Sequence, residues 1–316
     1  MRVIHLTNDV PLGQLYTRDA RDEWRPLGVA QGDVEVAEDA ELRLDASGLE
    51  DSALLDAFSP TDLQELVLNE AALGADDLAR IARLTGLKAL YLRAATLADA
   101  AVAALAPLAA LELLDLGETT IGDEALSFLR PLSGLQELDL DHTRITDAGL
   151  GALAELANLR ELYLAETDVS NVGMEALAPL ADLEVLDLEA TNVTNEGLRH
   201  VARFSALDEL DLGATSVSDA GIRELEALTG LQVLDLSDTD ITDAALAIVA
   251  GFTRLEDLRL ATTDVTDEGI ARLSPLTNLA FLDLSDTETT DAGIRSLRSQ
   301  LPNCEVQHLA REVEAD

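Results

Sequence analysis

Leucine returns along this chain on a fixed beat. Units begin at Leu63, Leu87, Leu111, Leu135, Leu159, Leu183, Leu207, Leu231, Leu255 and Leu279, so ten units of 24 residues cover 63–302, or 240 of 316 residues. Residues 135–158 read LQELDLDHTRITDAGLGALAELAN, and 159–182 read LRELYLAETDVSNVGMEALAPLAD. A strict period between roughly 20 and 50 residues marks a solenoid, in which each unit buries its apolar face against its neighbours.

Inside the unit, Leu occupies the first, fourth and sixth positions in every copy. The fourth and sixth have strand spacing and share a face, which turns the fifth-position side chain the other way. Thr fills the ninth position in eight units, Thr119 through Thr287, where its hydroxyl can satisfy backbone groups as the chain turns. An apolar residue such as Ile145 or Val169 follows at the eleventh.

Thr146-Asp147 then recurs as Thr242-Asp243, Thr266-Asp267 and Thr290-Asp291, an N-cap with a carboxylate in the first turn. Apolar residues three apart, as in Leu150, Leu153 and Leu156, predict a helix with one buried stripe. Gly or Ala at the fifteenth position in nine units predicts close approach to a neighbouring turn. Pro107, Pro131, Pro179 and Pro275 stop the helix before the next strand. About seven core side chains per unit, each worth roughly 1.5–3 kcal/mol when buried, hold the stack together. The expected fold is α/β: a right-handed βα solenoid with a parallel sheet inside and helices outside. Helices are wider than strands, so the stack curves into a horseshoe with a concave sheet.

The pattern LxxLxLxxT-x-[IV]-[TS]-D-x-G-[LI]-x-x-L resembles the leucine-rich repeat family, above all its short, helix-backed prokaryotic type. It is also similar to repeats found next to F-boxes. The resemblance implies a non-catalytic protein-interaction scaffold that binds a partner protein on its concave face. The likeness to F-box-associated repeats implies an alternative, a ubiquitin-ligase-like or effector adaptor. That adaptor needs a helical F-box, and residues 1–38 are too polar and too broken by proline and glycine to supply one. The chain departs from the commonest family pattern in placing Thr at the ninth position, where Asn usually forms a ladder.

The flanks leave the beat. Residues 1–38 are expected to form an N-terminal cap, with Trp24 covering the open first coil. Residues 39–62 hold a degenerate first repeat with Leu42, Leu44, Leu49 and Leu54 near the expected phases. Residues 303–316 supply a capping strand through Cys304 and Val306, then an acidic tail expected to fray from Arg311. Length alone suggests two domains; the repeat, with no linker in it, predicts one elongated domain. No segment has the form of a signal peptide or a membrane span.

Charge changes the picture more than length does. Sixty-one acidic residues against 21 basic ones give −40, and Lys88 is the only lysine. Self-repulsion of that size destabilises a compact state, and at about 1 M salt the Debye length of roughly 3 Å removes most of it. The composition is that of a halophilic cytoplasmic protein; an acidic protein of an ordinary GC-rich bacterium is the alternative. It argues against nucleic acid, which needs a basic stripe, and against anionic membranes. One cysteine permits no internal disulfide.

The fifth positions read Val67, Tyr91, Asp115, Asp139, Tyr163, Asp187, Asp211, Asp235, Arg259 and Asp283. Asp187, Asp211 and Asp235 fall on consecutive strands about 4.8 Å apart, where carboxylates repel. Two readings follow: soluble filler common in such repeats, or an electronegative groove for a basic protein surface. Under the second, the partner-binding residues are Tyr91, Arg93, Asp115, Asp139, Tyr163, Asp187, Asp211, Asp235 and Arg259. The tyrosines serve as anchors, and Arg93, Arg160 and Arg259 orient a partner's carboxylates. The aspartates run along a ladder and do not converge as calcium ligands do, so no metal or cofactor is expected. His5, His142, His200 and His308 form no HExxH or Cys/His cluster, and no P-loop, GxGxxG or GxSxG is present. His142 falls near the groove edge beside Asp139 and Asp141. An enzymatic or metal-binding solenoid therefore has no motif to stand on, and no catalytic residue is assigned.

Overall fold

The leucines at the fourth position sit at the centre of three-residue strands and fix the register of a parallel ladder. The computed structural model describes residues 2–6, 10–18 and 23–309. The acidic tail from Arg311 lies outside them. The chain groups into two compact units, 1–159 and 160–316.

The first unit opens with β1 (Arg2–His5), β2 (Gln14–Arg18), β3 (Trp24–Val29), β4 (Asp33–Val36) and β5 (Leu42–Asp45). The repeat strands β6 (Glu65–Val67), β7 (Ala89–Tyr91), β8 (Leu113–Asp115) and β9 (Glu137–Asp139) follow. β1 and β4 pair antiparallel as a separate ribbon. In the other sheet the order is β9-β8-β7-β6-β5-β2-β3; β5 to β9 run parallel, while β2 and β3 join antiparallel. Of the expected leucines of residues 39–62, Leu42 and Leu44 are fully buried; farther along, Leu55 rather than Leu54 enters the core. A short 3₁₀ turn over Ser52–Ala57 selects it.

In the second unit β10 (Glu161–Tyr163), β11 (Val185–Asp187), β12 (Glu209–Asp211), β13 (Val233–Asp235), β14 (Asp257–Arg259), β15 (Phe281–Asp283) and β16 (Glu305–Gln307) pair parallel in sequence order. Equivalent positions face each other, as Leu114 faces Leu138 in the first unit and Leu186 faces Leu210 in the second. These leucines are fully buried. The architecture is the α/β solenoid that the leucine pattern predicts.

In several repeats the return path is looser than the expected helix, although Asp243–Val249 and Asp291–Gln300 are regular α-helices. Residues 147–150 form one α turn, and a 3₁₀ turn over 153–155 follows it; 99–105 and 267–273 break in the same way. The spacing of three in Leu150, Leu153 and Leu156 is the 3₁₀ period, so it still makes one buried stripe.

Two networks close most coils. The ninth-position Thr hydroxyl donates to the sixth-position Leu carbonyl, 2.6 Å from Thr119 to Leu116 and 2.6 Å from Thr215 to Leu212. The chain passes through a left-handed residue at the eighth position of every repeat, with φ between 51° and 62°. None of these is glycine.

The second network runs along the helices. The thirteenth-position Asp or Asn of one repeat caps the next: Asp243 accepts from the Thr266 amide at 2.8 Å and its hydroxyl at 2.7 Å. Asp123 grips Thr146 in the same way, and Asn171 grips Thr194. This explains the small fifteenth position. A Cβ on Gly269 would stand 2.1 Å from the Asp243 carboxylate, and one on Gly293 would stand 2.0 Å from that of Asp267.

Among the described residues, no helix is long and apolar enough to cross a membrane.

Candidate functional site

In both units the strands turn their leucines inward, which leaves the third and fifth positions on the opposite face. In the second unit Asp187 pairs in register with Asp211, Asp211 with Asp235, and Asp235 with Arg259. The expected ladder of three carboxylates is thus on adjacent strands.

Each aspartate also has local work. Its Oδ1 accepts from the backbone N–H two residues on: Asp187 from Glu189 at 2.8 Å, Asp211 from Gly213 at 2.7 Å, Asp235 from Ser237 at 2.8 Å. Asp283 bonds Ser285 alike, and in the first unit Asp115 and Asp139 bond Gly117 and Asp141. These are Asx turns that lead the chain out of the strand. The signal was readable as Asp two residues before each turn.

Burial and like charge still tell on the ladder. Desolvation first, then the neighbouring Asp235 and Asp187 carboxylates, push Asp211 up to about 8. In the first unit desolvation, with Asp139 adding to it, pushes Asp115 up to about 6. Partial desolvation and then the Asp208 carboxylate also raise Glu209, an exposed third-position residue that strand alternation places on the same face. Sequence reading had passed over that third position. It also supplies Glu161, which accepts from the Tyr163 hydroxyl at 3.0 Å, and Asp257, which pairs with Arg259 at 3.1 Å.

The arginines expected to orient a partner's carboxylates are engaged with the chain's own. Arg93 donates to Glu118 at 3.0 Å and to Asp139 at 2.8 Å. Arg259 lies 3.6 Å from Asp235 as well as against Asp257, and Arg160 pairs with Glu184. Apart from Asp257, which shares a strand with Arg259, these partners come from one or two repeats away. Tyr91 is half-buried, with its phenol pushed up by burial. Val67 is buried. His142 is exposed at the left-handed turn position of its repeat.

Among the described residues, no group of three or more His, Cys, Asp or Glu side chains has the placement of a metal site. A half-open cavity of about 810 Å³ lies in the first unit between residues 10–14 and the loop after β5, lined by Leu12, Leu49 and Leu54. Neither Asp115 nor Asp139 lines it. Trp24, expected to cover the first coil, is half-buried on β3, and its indole N–H donates to Glu65 at 3.1 Å.

Comparison with known proteins bears on the whole arrangement. Leucine-rich repeat family models match residues 133–193 and 228–247. An internalin (inlC2) of Listeria monocytogenes is 30% identical, with 67% of this chain and 84% of that chain covered and a TM-score of 0.51. This chain belongs to the leucine-rich repeat family. A second Listeria internalin (inlF) is 21% identical over 86% of this chain and 87% of its own, with a TM-score of 0.54. A TDR receptor is 18% identical over 85% of this chain and 47% of its own, with a TM-score of 0.58. These two share the fold. Among curated proteins, none matches the chain. Membership gives this leucine-rich repeat chain its functional class, a protein-interaction repeat.

Proposed function

We propose that this leucine-rich repeat protein is a non-catalytic scaffold that binds the basic surface of a partner protein through the acidic sheet face. One observation carries the reading: Asp187, Asp211 and Asp235 stand in register on adjacent strands. The turn bonds alone do not call for this. Asparagine would accept the same backbone N–H without the charge, yet aspartate occupies all three positions, crowded enough that burial and its neighbours' repulsion keep the proton on Asp211 up to about 8. A lysine or arginine of a partner relieves that repulsion. Tyr163, beside Asp187 in register, adds an aromatic anchor. In the first unit Tyr91, Asp115 and Asp139 extend the same chemistry along consecutive strands, with Arg93 bridging there. The acidic face disfavours nucleic acid and anionic membranes, and the composition favours a cytoplasmic setting.

The test is affinity capture at physiological ionic strength with the wild type and with Asp187→Asn/Asp211→Asn/Asp235→Asn, which keeps every turn bond. A protein retained by the wild type and lost by the variant supports the reading. Equal retention by both refutes it.

A further inference from the structure

The first unit carries a different kind of surface on its sheet face. In register, Tyr16 on β2 sits opposite Arg43 on β5 and Pro26 on β3, Arg18 sits opposite Trp24, and Arg43 opposite Glu65. Arg43 lies between two tyrosine rings, with its guanidinium carbon 5.8 Å from the Tyr16 centroid and 5.6 Å from that of Tyr91. Arg18 stacks over Trp24 at 4.9 Å. In a chain of −40, this patch gathers Arg18, Arg43 and the single lysine, Lys88, beside Glu41, Glu65 and Glu112.

The pairing within the patch is uneven. Glu65 takes the Trp24 indole N–H and lies near both arginines, and Glu41 takes Lys88 at 2.8 Å. Arg43 comes off worst. Among the described residues its one ion pair is with Glu65, long at 3.5 Å, and its buried Nε has no hydrogen-bond partner. Arg93, by contrast, has two carboxylates within 3.0 Å. Two rings therefore hold a planar guanidinium fork on the sheet face with no close hydrogen-bonded carboxylate among the described residues, and its side chain is 30% exposed. A carboxylate is the group that matches this fork bidentately. Tryptophan, tyrosine and arginine are also the residue types that carry most binding energy at protein interfaces.

We propose that this aromatic–arginine patch is a docking surface for a partner-protein segment that presents one carboxylate among apolar side chains. The carboxylate takes the Arg43 fork, and the flanking apolar groups pack on Tyr16, Tyr91 and Trp24. This surface shares Tyr91 with the first-unit acidic residues but contains none of Asp187, Asp211 and Asp235, and its charge preference is the opposite.

The probes are two short-peptide display libraries with apolar-biased flanks, one with a fixed central glutamate and the other with a fixed glutamine, panned on the full chain. Enrichment from the glutamate library alone is expected, with affinity falling about tenfold or more in Arg43→Gln. Circular dichroism confirms that the variant is folded. Should it fail to fold, Arg43→Lys replaces it, because an ammonium keeps the charge but cannot form the fork. The Asp187→Asn/Asp211→Asn/Asp235→Asn variant binds the same peptides unchanged, so failure of the acidic-ladder reading is told apart from failure here. Enrichment of both libraries, no enrichment, unchanged affinity in the Arg43 variant, or an Arg43-dependent capture of single-stranded DNA in place of peptide overturns the proposal.

Discussion

Replacing Asp211 by asparagine removes one negative charge from the middle of the ladder and leaves its turn bond to Gly213 intact, because the amide oxygen accepts as the carboxylate does. Two unit charges at a strand spacing of about 4.8 Å repel by about 0.9 kcal/mol in bulk water, and Asp211 has two such neighbours. Arg259 attracts it and offsets part of that sum. A gain of about 1 kcal/mol at low salt remains for Asp211→Asn where the wild-type group is ionised. Native Asp211 holds its proton up to about 8, against the ordinary 3.8. The native state therefore binds more protons through that window, and the stabilising effect, full below about 3.8, is lost as pH rises through about 8. Asparagine lacks this dependence. Urea denaturation should show Asp211→Asn more stable than wild type at pH 9, nearly equal at pH 4, and closer to it at pH 9 in concentrated salt. A variant less stable at pH 9, or a gain of the same size at both pH values, refutes the reasoning.

The repeat makes its own predictions. Thr262 is exposed, β-branched and held at φ 57°, so Thr262→Gly should raise stability by about 1 kcal/mol in urea denaturation, and a loss would contradict the strain argument. Asp243→Ala removes two bonds that cap the next repeat at Thr266 and should cost about 2 kcal/mol, whereas Asp243→Asn should cost less, as Asn171 serves the same role. Equal losses would show that charge matters there and bonding does not. If a cationic partner binds the ladder, its affinity should rise between pH 7 and 9 as Asp211 ionises, read by titration calorimetry; a flat profile would exclude Asp211 from the contact.

What the sequence made legible follows from locality. Leucines at the fourth and sixth positions announce the strand and its buried face, and Thr146-Asp147 announces the cap; each depends on neighbours in the chain. The left-handed eighth position was not legible, because Glu70, His142 and Thr262 share no preference for that conformation. Inter-repeat bonding imposes it instead: the Thr262 amide must reach the Ser285 carbonyl while Thr263 turns back to Leu260. The same holds at the candidate site. The ladder of Asp187, Asp211 and Asp235 could be read from the period, but the pairing of Arg93 with Asp139 spans 46 residues and arises only from strand register. The double duty of the thirteenth position was hidden similarly. Asp243 reads as a helix-dipole residue of its own turn, and its bonds to Thr266 emerge only when repeats stack.

The central claim, that the sheet face and not the helix face is the binding surface, is tested most directly by hydroxyl-radical footprinting of the chain with its captured partner. Protection at Tyr163 and along β11 to β13, with Val172 on the helix side (64% exposed) remaining reactive, is the predicted result. Protection of Val172 and the neighbouring helices, with Tyr163 still reactive, would contradict the account.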